Sequence, residues 1–231
     1  MRGLTTRFHC TLETASSKQW YVSRISGTDL ATCGTEEAHP CKKIYQATAR
    51  TQGRDVINID GRGSSRDPYS CKFNPELPLA AVSIRSYRTQ AFVSCKVGSF
   101  RFSCNNRNNS FSSVSLERIT FMNTSLYLSD CSLKLTEVNF VNSSIDVLSL
   151  DFPQGSTGRI ELSGCSFYNN SGTGLRIRGD SIKLIIGNSS FNNSEMREGD
   201  SEKALVVILT KSSGGQISIN ATNVTLPKRG L

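Results

Sequence analysis

The sequence has little of the material from which most active sites and metal centres are built. It contains only two histidines, His9 and His39, which leaves little for a histidine metal site or a Ser-His-Asp triad. No two cysteines have the Cys-x-x-Cys spacing of a structural zinc or redox motif. No nucleotide-binding phrase occurs, since residues 61–63 lack the required glycine spacing and a following helix. We therefore predict no catalytic residue, no cofactor and no metal.

Long hydrophobic runs are missing as well. A membrane-spanning helix needs roughly 18 or more apolar residues, and the best candidate here is the short segment 205–209. The first ten residues contain no apolar core of a secretory signal, which by itself favours a cytosolic protein. We expect no transmembrane segment in this chain.

The cysteines and asparagines favour an extracellular or cell-surface protein instead. There are eight cysteines, an even number, as in disulfide-bonded proteins. Cys33 and Cys41 flank a loop in which a local disulfide would form easily. Asn-x-Ser/Thr sequons, the acceptors of N-linked glycans, begin at Asn108, Asn123, Asn142, Asn169, Asn188, Asn192, Asn220 and Asn223. On this hypothesis the signal sequence is simply not visible in this chain.

The charge is basic but scattered. The chain has 27 Lys and Arg against 19 Asp and Glu, a formal net charge of +8. A nucleic-acid-binding tail would be expected to contain a run of basic residues, and this chain has no run of five. We expect partners among acidic glycans or other extracellular proteins, and no nucleic acid.

One short phrase is written four times between residues 116 and 194. Each copy contains Phe-x-Asn, and a small or apolar residue stands two positions before the phenylalanine. Successive phenylalanines are 19, 27 and 24 residues apart by position number. Periods of this length are typical of solenoids, which bury a core only by stacking their coils.

Strand alternation turns this phrase into predicted columns of side chains. In a strand, residues two apart share a face, so the phenylalanines and the residues two before and two after them should all point inward. Residue 116 breaks that parity, which predicts a corner near residues 117 and 118. The predicted inward columns are Phe121, Phe140, Phe167 and Phe191; Ile119, Val138, Cys165 and Ser189; and Asn123, Asn142, Asn169 and Asn193.

Short strands, corners and a ladder of stacked amides predict a parallel β-helix. Asparagine suits the corners because it tolerates a left-handed backbone. Inward-pointing asparagines could not carry glycans, so Asn123, Asn142 and Asn169 are expected to be structural. Glycosylation is expected instead at Asn108, Asn188, Asn192, Asn220 and Asn223.

The N-terminal third reads as the start of such a solenoid. A short strand near residue 20 is followed by a loop, an amphipathic helix at about 42–51 with Ile44 and Ala47 on one face, and a strand at 56–60. We predict a polar lead-in at 1–17, one β-helix domain at 18–226 and a tail at 227–231. Because no capping element is visible after residue 226, the tail is interpreted as the truncated end of a longer solenoid.

This order of parts resembles right-handed parallel β-helix domains of the pectate-lyase-like superfamily. The matching residues are Tyr21-Val22, Gly27-x-Asp29, Cys33-Gly34, Pro40-Cys41, Ala47, Ile57-x-Ile59 and Gly61. Residues 165–171 resemble the Phe-x-x-Asn repeats of polymorphic outer-membrane proteins and of large extracellular proteins, although the companion Gly-Gly-Ala-Ile element is absent. The resemblance covers about residues 18–226 and implies an all-β, right-handed parallel β-helix whose short helix covers the N-terminal end. It says little about function.

The remaining cysteines leave alternatives open. Cys71 and Cys95 lie 24 residues apart, about one coil, so they could sit side by side and form a disulfide. Cys104 is an equally good partner. Cys131 and Cys165 occur in a repeated Leu-Ser-x-Cys-Ser phrase and are interpreted as small interior residues.

The alternative to a non-catalytic role is an enzyme of this fold, either a glycoside hydrolase or a polysaccharide lyase. A glycoside hydrolase needs two carboxylates. The predicted outward column of residues 118, 137, 164 and 188 offers only an exposed Arg118–Glu137 ion pair. A polysaccharide lyase needs a base and charge neutralisation, for which the candidates are Asp146, Asp151, Glu161, Arg176, Arg178 and Asp180. We expect these carboxylates, together with Glu137, to be dispersed, mostly exposed and paired, if at all, with nearby arginines or lysines. The sequence therefore favours a non-catalytic extracellular β-helix for adhesion, recognition or structural spacing, over a lyase or hydrolase and over an intracellular solenoid scaffold.

Overall fold

A computed structural model describes residues 17–51, 54–70, 81–95, 99–104, 113–192, 206–210 and 215–226. Asn108, Asn193, Cys71 and the predicted tail lie outside these residues. In the described ranges the chain forms nineteen strands and one short helix, α1 (Ile44–Thr48).

The strands form three sheets, labelled here A, B and C. Sheet A contains β1 (Gln19–Val22), β2 (Asp55–Ile59), β4 (Ala81–Ser86), β7 (Ser113–Glu117), β10 (Ser132–Thr136), β13 (Thr157–Ser163), β16 (Ser181–Gly187) and β19 (Gln216–Thr222). Sheet B contains β3 (Tyr69–Ser70), β5 (Ala91–Ser94), β8 (Ile119–Met122), β11 (Asn139–Val141), β14 (Ser166–Tyr168) and β17 (Ser190–Asn192). Sheet C contains β6 (Ser99–Ser103), β9 (Ser125–Ser129), β12 (Leu148–Asp151), β15 (Leu175–Arg178) and β18 (Val206–Leu209).

Every strand pair recorded between these elements is parallel, and the chain passes repeatedly from sheet A to B to C and back to A. Each passage is one coil, and each strand pairs with its counterparts in the coils before and after it. This is a parallel β-helix, so the predicted fold class is confirmed.

The phenylalanine column lies in the core, in the order that the repeat predicts. Phe121, Phe140, Phe167 and Phe191 are register partners along sheet B and are at most 2% exposed. Their successive ring centroids are 5.4, 5.0 and 4.5 Å apart, with interplanar angles of 14°, 22° and 8°. The column of Ile119, Val138, Cys165 and Ser189 is buried beside it.

The corner between sheets A and B falls where the broken parity predicts. Arg118, Glu137, Gly164 and Asn188 have φ angles of 54°, 55°, 64° and 48°, all in the left-handed region. One left-handed residue reverses the sense of alternation, so that residue 116 and residue 119 can both face the core.

The corner between sheets B and C corrects one prediction. Asn123, Asn142 and Asn169 do take left-handed conformations, with φ angles of 52°, 59° and 53°, but they are exposed rather than inward. The residues that follow them, Thr124, Ser143 and Asn170, are at most 2% exposed and occupy the interior. Strand alternation predicts the wrong side for these asparagines, because the left-handed residue at the corner turns outward and the next residue turns inward.

The N-terminal end is covered by α1, which is shorter than the predicted helix at 42–51. Ile44 and Ala47 are buried and pack against β1 and β2. The helix ends early because Arg50 N and Thr51 N donate to carbonyls only three residues back, which tightens the last turn away from α-helical geometry.

At the other end of the described solenoid, β19 is exposed along its whole length. Ile217 and Ile219 continue inward columns through their register with Ile182 and Leu184, yet they are 39% and 56% exposed. In the described ranges no further coil lies over them.

Candidate functional site

One disulfide closes the N-terminal loop, and another joins two successive coils. Cys33 and Cys41, the pair that the sequence suggests, are bonded, with an Sγ–Sγ distance of 2.09 Å and a Cα–Cα distance of 4.8 Å. Arg50 Nη1 donates to the carbonyl oxygen of Cys33 at 2.6 Å. The disulfide therefore closes the loop against the end of α1.

A second disulfide corrects the interpretation of Cys131. Cys104 and Cys131 are bonded, with Cα atoms 5.2 Å apart, because they leave equivalent strands of sheet C in consecutive coils. Cys104 is thus not available to Cys71, and Cys131 is not a free interior residue. Cys95 is also disulfide-bonded, and Cys71, its suggested partner, lies outside the described residues.

Cys165 matches the prediction of a small interior residue. It is a free, buried thiol. Burial raises its pKa to about 11, so the thiol stays protonated and inert at neutral pH.

The candidate lyase residues divide between two faces of the solenoid. Four of them, Asp146, Asp151, Arg176 and Arg178, form two pairs on sheet C and in the segment just before its strand β12. Arg176 Nε lies 2.7 Å from Asp146 Oδ2, and Asp151 is the register partner of Arg178.

The other two candidates lie elsewhere. Glu161 is on sheet A, where its Oε1 is 2.5 Å from Arg159 Nε. Asp180 is only 9% exposed, which corrects its expected place on the surface; it follows β15 at the turn into sheet A. The six predicted residues therefore do not share one groove.

The predicted Arg118–Glu137 ion pair is also corrected. Arg118 Nε lies 3.5 Å from Glu117 Oε1, on the strand that precedes the corner. Glu137 is exposed, and its backbone carbonyl accepts from Gln90 Nε2 at 3.3 Å. The two residues occupy the same corner column, but Glu117 is the acid that Arg118 reaches.

The buried carboxylate of Asp60 is stabilised by a neighbouring arginine. The Asp60 side chain is 1% exposed and lies 2.6 Å from Arg62 Nη2. Burial opposes its ionisation, but side-chain and backbone hydrogen bonds from Arg62 outweigh burial, so the pKa of Asp60 lies below its ordinary value. At Asp130 burial acts without a compensating cation and raises the pKa.

These carboxylates stand singly rather than in metal-binding groups. In the described ranges no three His, Cys, Asp or Glu side chains are placed to hold a metal ion together. No helix in those ranges is long and apolar enough to cross a membrane.

The sequon asparagines that the structure describes are on the surface. Asn188, Asn192, Asn220 and Asn223 are exposed, as are the corner asparagines that the sequence placed inside. Four of them form two amide–amide pairs. At the corner between sheets B and C, Asn169 Nδ2 donates to Asn142 Oδ1 at 2.7 Å. At the corner between sheets A and B, Asn223 Nδ2 donates to Asn188 Oδ1 at 3.0 Å.

The interior polar column is the element that sequence reasoning missed. Ser143 Oγ donates to the Thr124 carbonyl at 2.6 Å. The Ser143 backbone amide donates to Asn170 Oδ1 at 2.8 Å, and Asn170 Nδ2 donates to the Phe140 carbonyl at 3.1 Å. The signal was available, because a small polar residue follows the Phe-x-Asn phrase in each of these coils.

Comparison with known proteins does not extend this picture. No protein-family model matches the chain, and no curated protein or solved structure is significantly similar to it. The resemblance to the pectate-lyase-like superfamily therefore stays a prediction from the sequence, and what the structure shows is a parallel β-helix.

Proposed function

We propose that this chain is a non-catalytic extracellular β-helix domain that serves recognition, adhesion or structural spacing. The disulfide between Cys104 and Cys131 carries the proposal. It joins two consecutive coils, buried at the same corner, and such bonds persist in oxidising compartments. Together with the Cys33–Cys41 disulfide, it suits a protein that must keep its shape outside the cell.

The arrangement of acidic side chains supports a non-catalytic role. Catalysis by a carboxylate pair needs two acids around one substrate bond. Here Asp146 and Glu161 are each paired with a separate arginine; Asp146 lies just before β12 of sheet C, and Glu161 lies on β13 of sheet A. Partly exposed ion pairs of this kind are ordinary surface features, each worth under about 1 kcal/mol.

The outer face of sheet A supports a recognition role for acidic ligands. Arg159 and Lys183 are register partners, so like charges stand side by side on neighbouring strands about 4.8 Å apart. Lys134 is exposed in the preceding coil and is the register partner of Glu161. Glu161 compensates Arg159 through their ion pair, and the exposed ammonium groups of Lys134 and Lys183 would attract an extended polyanion to this face.

The test is a binding and cleavage screen with acidic and neutral polysaccharides. We expect salt-sensitive binding to acidic chains and no new reducing or unsaturated ends. A Lys134→Ser/Lys183→Ser double variant should weaken binding at least several-fold. Lys42→Ser/Arg66→Ser, which removes the same charge from exposed positions elsewhere, should not.

Cleavage by pure protein would overturn the proposal. So would free thiols at Cys33 and Cys41 in protein isolated from the cells that make it, because both cysteines would then be reduced where the protein works. Equal loss of binding in both double variants would show that net charge, rather than the face of sheet A, attracts the ligand.

A further inference from the structure

The corner between sheets B and C carries an asparagine in three successive coils. Asn123, Asn142 and Asn169 are exposed and left-handed. Asparagine tolerates this conformation well, but the conformation alone does not require it. Arg118 and Glu137 adopt it at the corner between sheets A and B.

The serine two residues after each of the first two asparagines uses its hydroxyl for no hydrogen bond in the described residues. Ser125 Oγ is buried without a hydrogen-bond partner. Ser144 is exposed, and its hydroxyl makes no hydrogen bond in the described part of the chain. The corner is closed instead by the interior residues Thr124 and Ser143. The two coils therefore repeat an exposed asparagine and, two residues later, a serine hydroxyl that no hydrogen bond of the described residues uses.

We propose that Asn123 and Asn142 carry N-linked glycans. The proposal rests on the extracellular function proposed above, because the glycan is transferred in the secretory pathway. The donor is an oligosaccharide linked to a polyprenyl diphosphate, and the catalyst is a membrane-bound oligosaccharyl transferase. A bond forms between the asparagine Nδ2 and the anomeric carbon of the sugar. The bond from that carbon to the diphosphate oxygen breaks, and the polyprenyl diphosphate leaves and takes up the proton that Nδ2 loses.

Asn169 is the least suitable acceptor of the three. Its Nδ2 donates to Asn142 Oδ1 at 2.7 Å, and a glycan would replace one of the two N–H groups of that amide. Asn142 takes part in the same hydrogen bond through its oxygen, so its own Nδ2 can be modified without breaking it. We expect Asn169 to be modified to a smaller extent than Asn142.

The consequence is a glycan-covered edge. Both glycans leave the solenoid at the corner between sheets B and C and would shield it from protein partners. The outer face of sheet A, where Lys134 and Lys183 are exposed, carries neither of these two asparagines. Glycans at Asn123 and Asn142 would therefore leave these two lysines uncovered.

The experiment is site mapping on the full chain from a eukaryotic secretory host. Enzymatic removal of N-glycans in ¹⁸O water converts each modified asparagine into labelled aspartate, which peptide mass spectrometry detects. We expect label at positions 123 and 142, and a smaller fraction at 169. Ser125→Ala and Ser144→Ala should each remove the mass of one glycan, whereas Ser144→Thr should keep it. None of these changes alters a left-handed residue, so folding is preserved.

Unlabelled asparagine at both 123 and 142 in the secreted, disulfide-bonded protein overturns the glycan proposal and leaves the proposed function standing. Heavier labelling at Asn169 than at Asn142 overturns the role given to their hydrogen bond. Protein isolated from its own cells with free thiols and no glycan at any sequon overturns the proposed function, and this proposal with it.

Discussion

The stacked phenylalanine column gives the sharpest test of the fold. Phe140 is fully buried, and its ring centroid lies 5.4 Å from Phe121 and 5.0 Å from Phe167. Replacing Phe140 by alanine forfeits the burial of the ring, worth about 1.5–3 kcal/mol, and two stacking contacts of about 0.5–1.5 kcal/mol each. Because neighbouring rungs are fixed by strand pairing, the column cannot collapse into the gap. We expect a loss of about 3–5 kcal/mol.

The assay is reversible denaturant unfolding of the oxidised protein, followed by fluorescence and circular dichroism. Tyr168→Ala is the matched control, because it removes an aromatic ring that is 54% exposed from the neighbouring strand. It should lower the free energy of unfolding by under about 1 kcal/mol. A loss below about 1 kcal/mol for Phe140→Ala, or equal losses for the two variants, would refute a continuous buried column.

Three further predictions concern stability. Removing the Cys104–Cys131 disulfide by a double alanine substitution should cost about 3.5 kcal/mol in denaturant unfolding, because the bond closes a loop of 27 residues; an unchanged midpoint would argue against it. Asn170→Ala should lower the free energy of unfolding by about 2–4 kcal/mol, since two buried backbone groups lose their partners. Asn169→Gly, a change at an exposed left-handed position, should change it little. Similar losses for the two variants would contradict the placement of the interior column. The lowered pKa of Asp60 stabilises the fold above the unfolded-state value of about 3.9, and this contribution is lost as pH falls through the lower folded-state value. Asp60→Asn should therefore flatten the dependence of unfolding free energy on pH below about 4, and an unchanged acid limb would contradict this.

Much of the fold follows from the sequence alone. Four copies of one phrase at coil-length spacing, with period-two alternation inside each copy, are enough to place Phe121, Phe140, Phe167 and Phe191 in one column. Such a repeat buries its apolar face only by stacking on its neighbours. The broken parity at residue 116 also located the left-handed corner, because a chain can bring residues 116 and 119 to the same side only by turning between them.

Other features depend on the tertiary structure. Whether Asn142 or Ser143 faces the core depends on how the left-handed residue rotates the chain, and strand alternation stops being a guide at that point. The Cys104–Cys131 bond depends on which cysteines leave equivalent strands, and coil lengths that vary from one turn to the next hide this in the sequence. The varying coil lengths also hide from the sequence that Glu161 and Asp146 lie far from each other around the coil. The repeat determined that the coils stack, and only the folded chain decided which side chains meet across them.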